Sequence, residues 1–514
     1  MMGILRTILF AATGLAATGA AFAQQTDSAS LFRTQREHAS PVAALAATAY
    51  ATPALRSEAF AGSLSEISVG YEMRREEKAL EQQKGDGGDF GRFSAGSYKH
   101  ISGKGTVWGD AGYLRGAKRN VVWNASSDYD LVFPYVVADS IGGDLTSEEY
   151  TFGGGYGHRS GRYTWALEAG ARALHEYRDS DPRIRNVAID IDAGAGASVR
   201  MGNYRLGLSA ALRVYKQSGS QIQYAHSAGE KGVYHLSGLG SHYAGFEGNA
   251  NSQTRYRGSG YGLTLALVPD AGRGGLHLAA GYEYLHIEKE LPGSADLVLQ
   301  KVVPRSFHAE AAWLRGSGNG LRWGVALSAR YDYRRGDEGI VDDNNSSQGS
   351  GTLGFLTLFE YSALQGRAEA VFGVEAAGHA WYLCPWGEYR RRTSDYLYPA
   401  QTMEFSRAGG GVDFRCVLQR RSLLLRLEAG GGYTAGLDSG LTLPVADLAA
   451  PLVRMVQYDY GRLRQDAATF RLGLRADYAL RRRMSLFLAA DYGGGLYGDN
   501  TAAHHARVAC GIAF

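Results

Sequence analysis

The chain lacks the residues that would place it in most functional classes. Its 514 residues hold three cysteines and 11 prolines, and no apolar run of about 18 residues follows the N-terminus, so a dense disulfide framework and a helical membrane span are both excluded. Cys384, Cys416 and Cys510 are too widely spaced for a CxxC zinc site. An excess of one charge is also missing. The 54 basic and 51 acidic residues nearly cancel, whereas a nucleic-acid-binding domain carries a basic surplus. What is abundant is glycine, with 70 residues and no Gly-X-Y period, together with 32 tyrosines, a composition that fits neither collagen nor a disordered chain. At a mean hydropathy of −0.24, a membrane protein is possible only as a β-barrel.

Residues 1–23 read as a secretory signal: Arg6 starts it, an apolar stretch follows, and Ala21-Phe22-Ala23 supplies the cleavage site. The mature chain is expected to begin at Gln24, with no cysteine there to carry a lipid. Residues 24–63 are Ala-rich and interrupted by Pro41 and Pro53, which predicts a helical periplasmic tail or a short plug rather than strand.

From Leu64 to Phe514 the period is two. Leu321, Trp323, Val325, Leu327, Ala329, Tyr331 and Tyr333 alternate with Arg322, Gly324, Ala326, Ser328, Arg330, Asp332 and Arg334, and the same split recurs at 204–215 and 470–479. These segments exceed the five to six residues or so of a sandwich strand and carry Tyr or Trp near their ends, the girdle pattern of a transmembrane barrel. About 18 strands are expected, with 16 the alternative. Short turns are expected at 101–103, 159–160, 201–202, 269–273, 316–318, 364–365, 419–420 and 482–483, and long loops at 115–147, 217–257, 384–400 and 437–465. That alternation puts both chain ends on the periplasmic side of a Gram-negative outer membrane. The fold class is thus all-β, a transmembrane antiparallel barrel over 64–514. On this topology Cys384 and Cys416 lie about a membrane thickness apart, too far for a disulfide.

The last strand alternates through Ala506, Val508, Cys510, Ile512 and Phe514 and stops on the aromatic, which resembles the signal read by the barrel-assembly machinery. Ser68-Val69-Gly70-Tyr71, Gly153 to Arg159 and Ala166 to Ala173 resemble an uncharacterised outer-membrane β-barrel family of bacteroidete bacteria, a domain of unknown function. The resemblance implies a fold, a location and proximity to TonB-dependent uptake systems. It carries over no functional residue, because that family has no assigned active site.

Inward positions hold charges of both signs: Glu310, Arg322, Arg330, Asp332, Asp413, Arg415, Arg426, Glu428, Arg475 and Asp477. Lining a pore, they would set the field a solute crosses; paired across strands, they would brace the wall. Near balance of the two signs predicts weak ion selectivity. Two loops carry candidate ligand contacts. The first contains His226, His235, His242 and Tyr243, whose imidazole and phenol groups could ligate haem or a metal, although their spacing fits no standard motif. The second contains Trp386, Tyr389 and Arg391, aromatic and guanidinium groups suited to a sugar, peptide or acidic ligand. Asp342 to Asn345 lack the spacing of a calcium loop, and His504 and His505 point to opposite faces of one strand.

An enzyme is not expected. His175 and His286 fall on the lipid-facing register without a neighbouring Ser in the same strand, and no G-x-S-x-G, H-E-x-x-H or P-loop motif occurs. No cofactor is implied. The reading is a porin-like channel or uptake component for a small solute, in contact with outer-membrane lipid and not with nucleic acid. The alternative is a non-conducting barrel that serves a TonB-dependent receptor or a surface lipoprotein in nutrient uptake, iron or haem included. A lipid-modifying enzyme comes third.

Overall fold

Two-residue hairpins set the architecture. Gly161 and Gly202 both sit at φ +61°, the left-handed region that the tightest strand reversals require and that glycine enters without steric cost. In the computed structural model, which describes residues 29–219, 233–243, 253–270, 274–292, 297–316, 319–341, 352–444, 450–481 and 483–514, eighteen antiparallel strands form one sheet, joined by short turns of this kind at one end and by longer connections at the other. The first strand, Leu64–Glu76, pairs with both Gly87–His100 and the last, Ala502–Ala513, so the sheet closes and no edge is left open. No helix among the described residues is long and apolar enough to cross a membrane.

The alternation decides which face is wet. Leu321, Val325, Leu327 and Tyr331 are exposed on the outside, while Gly324 and Ala326 of the same strand face inward and are buried. From Trp323 to Tyr333, about ten steps of roughly 3.3 Å on a strand tilted ~40° give a band of about 25 Å, the height of an outer-membrane barrel's apolar belt. The protein is an outer-membrane β-barrel.

One hairpin differs from expectation. The turn read at 364–365 is strand: Thr352–Glu375 runs unbroken, the reversal falls at 376–378, and His379–Tyr396 follows. The expected turn is Leu364-Gln365, yet Gln365 is in register with Arg330 on one side and Arg390 on the other. The expected loop 384–400 therefore shrinks to 397–400, and the strand count is unchanged. Cys384 and Cys416 consequently lie on adjacent strands, opposite Asp413 and Trp381, not a membrane thickness apart. They still form no disulfide, because Cys384 shares the inward register of Asp413 while Cys416 alternates with Arg415 and Val417 onto the lipid side.

Candidate functional site: the occupied lumen

An eighteen-stranded barrel has room for an aqueous channel, but this lumen contains protein at both ends. At the periplasmic mouth the N-terminal segment forms one longer helix, Ala29–His38, and three single turns, Pro41–Ala44, Ala47–Tyr50 and Pro53–Arg56. Prolines at the first positions of two turns and the run of alanines explain this broken form. The segment touches the wall around its circumference: Phe32 packs on Leu424 and Ala479, and Leu45 on Leu314, Ala326 and Val371. Leu55 packs on Ala266, Val268 and Ala279, and Ala54 on Tyr98, Trp108 and Ala166. Wall glycines make room. A Cβ on Gly207 would stand 2.9 Å from Leu55.

Polar pins hold the segment in register. Gln35 donates to Asp477 (3.1 Å) and Ser485 (3.0 Å), Thr48 donates to Glu310 (2.7 Å), and Thr164 donates to Glu58 (3.0 Å). Arg205 bridges Glu58 and Asp270 at 2.9 and 2.8 Å.

The outer half is filled by inserted loops. Val137–Asp139, Val233–Gly238 and Ser241–His242 form a small separate sheet, and Pro451–Leu463 is a helix. Trp123, Val132, Tyr135, Val136, Leu236 and Leu239 of these loops share one apolar core with Leu452, Met455 and Val456 of the helix. The same core includes wall residues from Leu174 to Met403. Buried charges fasten it. Arg178 and Asp139 pair at 3.2 Å with both side chains fully buried. Arg392 reaches Glu81 at 3.2 Å and stands 5.3 to 5.8 Å from the rings of Tyr361, Phe405 and Phe133. Burial opposes ionisation of Glu81, but Arg392 and Lys84 hold its carboxyl below the usual range. Asp459, on the helix, accepts the N–H of Gln82 at 3.0 Å and is pushed up to about 7 by burial and by the nearby Glu81.

Against the wall beside Leu131 of the outer body lies a chamber of about 430 Å³, lined by Asp190, Arg213, Glu283, Arg330, Asp332 and Arg334 among others; Arg330 and Asp332 stand on their strand between Ala326, which meets the N-terminal segment, and Arg334, which donates to the carbonyl of Phe133. A second space of about 280 Å³ adjoins Glu66, Arg426, Glu428 and Arg475.

The expected lumen residues mostly meet a charge of opposite sign. Arg322 pairs with Glu375 (2.9 Å), Arg330 with Asp332 (3.0 Å), Arg415 with Glu428 (3.6 Å) and Arg426 with Asp477 (3.1 Å). Arg475 binds Glu66 (2.6 Å) and Asp477 (2.9 Å), and Asp413 binds Arg471 (2.6 Å). Glu310 faces the N-terminal segment through Thr48.

The loop candidates do not converge. His226 lies outside the described residues, as do Asp342 to Asn345. His235 is fully buried, and burial together with nearby Lys289 pushes its imidazole well below the ordinary value. His242 is opposite Leu236 in the small sheet, so it points away from the face of His235; its ring meets Tyr234 at 5.3 Å. Tyr243 donates to the carbonyl of Gly339 (2.8 Å). Among the described residues no group of three or more His, Cys, Asp or Glu is arranged to hold a metal. Trp386, Tyr389 and Arg391 are strand residues, not loop residues. Trp386 faces inward under Arg367, 4.9 Å away, while Tyr389 and Arg391 fall on the other register and Arg391 pairs with Glu404 at 3.4 Å. On the outside, His175 stacks on Tyr177 and His286 meets Glu288 at 3.3 Å.

The residues that sequence reasoning missed are the tethers Gln35, Thr48, Glu58, Arg178 and Asp139, none of which left a local signal. Arg392 stood in the expected loop 384–400 beside Arg391; as a strand residue it turns inward with Arg390 and becomes a tether.

The profile of a family of unknown function, DUF6850, matches residues 53–514. No curated protein matches the sequence. Similar solved structures include BauA, the ferric preacinetobactin receptor from Acinetobacter baumannii, at 9% identity and a TM-score of 0.39, covering 88% of this chain and 80% of that one. The ferric yersiniabactin uptake receptor FyuA from Yersinia pestis is similar at 9% identity and a TM-score of 0.36, covering 88% and 80%. The ferric-catecholate import receptor Fiu from E. coli K12 is similar at 9% identity and a TM-score of 0.35, covering 88% and 81%. At such identities and TM-scores no ligand or mechanism is transferred.

Proposed function

The chain belongs to that family of unknown function, DUF6850, and we propose that it is a gated uptake component for a small solute, shut at rest by two bodies in series. The observation that carries this reading is the lumen itself: an N-terminal segment in the periplasmic mouth, an inserted body in the outer half, and a charged chamber between them. The N-terminal segment acts as a plug, and its bacteroidete origin beside a TonB-dependent uptake system is part of the same proposal. The two closures differ in kind. The outer body shares one extended apolar core with the wall and holds buried ion pairs, whereas the plug is one short helix and three single turns, seated on separate small apolar clusters and pinned by side-chain hydrogen bonds. Charges of both signs line the chamber, Asp190 paired with Arg213 and Asp332 with Arg330, which suits a polar solute without strong selection by sign.

A second reading has its own support. The fully buried Arg178–Asp139 pair, with the part-buried Arg392–Glu81 pair, makes the outer body rigid, as a non-conducting platform for a surface lipoprotein or receptor would need. Conductance of the refolded 24–514 chain in a planar bilayer, intact and with the closures removed, separates the two. Folded barrels that stay silent in every form leave only the platform. A lipid-modifying enzyme ranks below both and is tested by acyl-chain release from phospholipid.

A further inference from the structure

The charge that cancels over the whole chain does not cancel at its periplasmic end. Lys99, Lys104, Arg159, Arg315, Arg420 and Arg483 sit on or beside the short turns, and each is exposed. None of the six makes an ion pair among the described residues. The carboxylates at this level are already engaged: Asp270 by Arg200 and Arg205, and Glu375 by Arg322. The outer rim is organised differently. There Arg75 and Arg119 share Asp89, Arg115 faces Glu148, and Arg391 faces Glu404.

The cations lie just beyond an aromatic belt. Four of the seven tryptophans, Trp165, Trp313, Trp323 and Trp381, fall on the lipid-facing register near the periplasmic strand ends; Trp165, Trp313 and Trp381 are more than two-fifths exposed. Arg315 is in register with Trp323 and two residues from Trp313. Lys99, Arg315 and Arg420 themselves occupy lipid-facing positions, one step past the apolar band, where headgroups lie.

We propose that this rim is a binding belt for the phosphates of anionic phospholipids in the inner leaflet. Guanidinium forks match phosphate oxygens, and tryptophan fixes the depth at which they meet. A barrel held this way keeps its periplasmic mouth at a set height.

The test uses the full chain in vesicles of 3:1 phosphatidylcholine and phosphatidylglycerol, with spin-labelled forms of each lipid as probes. The motionally restricted fraction should favour phosphatidylglycerol by about twofold or more, within the roughly fivefold that one cation near an anionic surface supplies. The preference should fall to near unity in 1 M NaCl, where the screening length is about 3 Å. Lys99→Gln with Arg315→Gln and Arg420→Gln should abolish it, while Lys216→Gln with Arg257→Gln and Arg305→Gln at the outer rim should not. Equal restriction of the two lipids in the wild type, or loss only in the outer-rim variant, overturns the proposal. Should the inner-rim variant not fold, a preference that survives 1 M salt in the wild type overturns it as well.

Discussion

Leu55 is the apolar anchor of the plug and allows its docking to be tested from both sides of one contact. It is fully buried, packed on Ala266, Val268 and Ala279, with Gly207 beneath it. Leu55→Ala removes that packing and leaves a cavity, a change that costs about 3 kcal/mol. The barrel wall keeps its own ladder of hydrogen bonds, so the loss falls on docking. At 1.4 kcal/mol per decade, the undocked population should rise about 100-fold. Gly207→Val, a change in the wall and not in the segment's own sequence, should act in the same direction, because its Cβ would stand 2.9 Å from Leu55. Hydrogen exchange and limited proteolysis of residues 29–62 in the folded barrel read the outcome. Unchanged protection in both variants, with heat resistance of the barrel intact, would refute the claim that this contact holds the segment.

The outer body makes the opposite kind of prediction. Asp139→Ala should strand the fully buried Arg178 and cost about 3 to 5 kcal/mol, seen as lost exchange protection over 122–142; wild-type protection there would contradict it. For Asp459, a pKa raised to about 7 in the docked helix, against about 3.9 when exposed, means that the docked state binds the proton more tightly. Docking of Pro451–Leu463 is therefore strongest in acid, weakens as pH rises from about 4 through 7, and levels off above that. Asp459→Asn should flatten the profile, measured as exchange relative to wild type at each pH from 5 to 8; a profile that keeps its slope argues against this residue. Cys384 and Cys416 face opposite sides of the wall, so non-reducing mass spectrometry should find all three thiols free after mild oxidation, and an intramolecular disulfide would show the registers to be wrong.

The barrel was legible in the sequence because its physics is local. One face in lipid and the other in a polar lumen impose a period of two, and Leu321 to Tyr333 display it without help from the rest of the chain. Strand number followed from turn spacing, and even the misplaced reversal at Leu364-Gln365 conserved it, because a turn was traded for one twelve residues on. The contents of the lumen were far less legible. Nothing in Gln35 announces Asp477, more than four hundred residues away, and nothing in Arg178 announces Asp139. Those pairs exist only once the barrel closes and brings distant segments inside. Trp386, Tyr389 and Arg391 show how a boundary error becomes a site error: as a loop they could converge on a ligand, and as a strand alternation splits them between the two faces.

The most direct measurement of the central claim is single-channel conductance of four forms of the refolded barrel: intact, without residues 29–62, with loops 122–142 and 233–243 replaced by short Gly-Ser linkers, and with both changes. Two closures in series predict silence from the first three and discrete, reproducible steps from the fourth. Steady conductance of the intact barrel, or silence of the doubly opened one while it remains folded, would contradict the account.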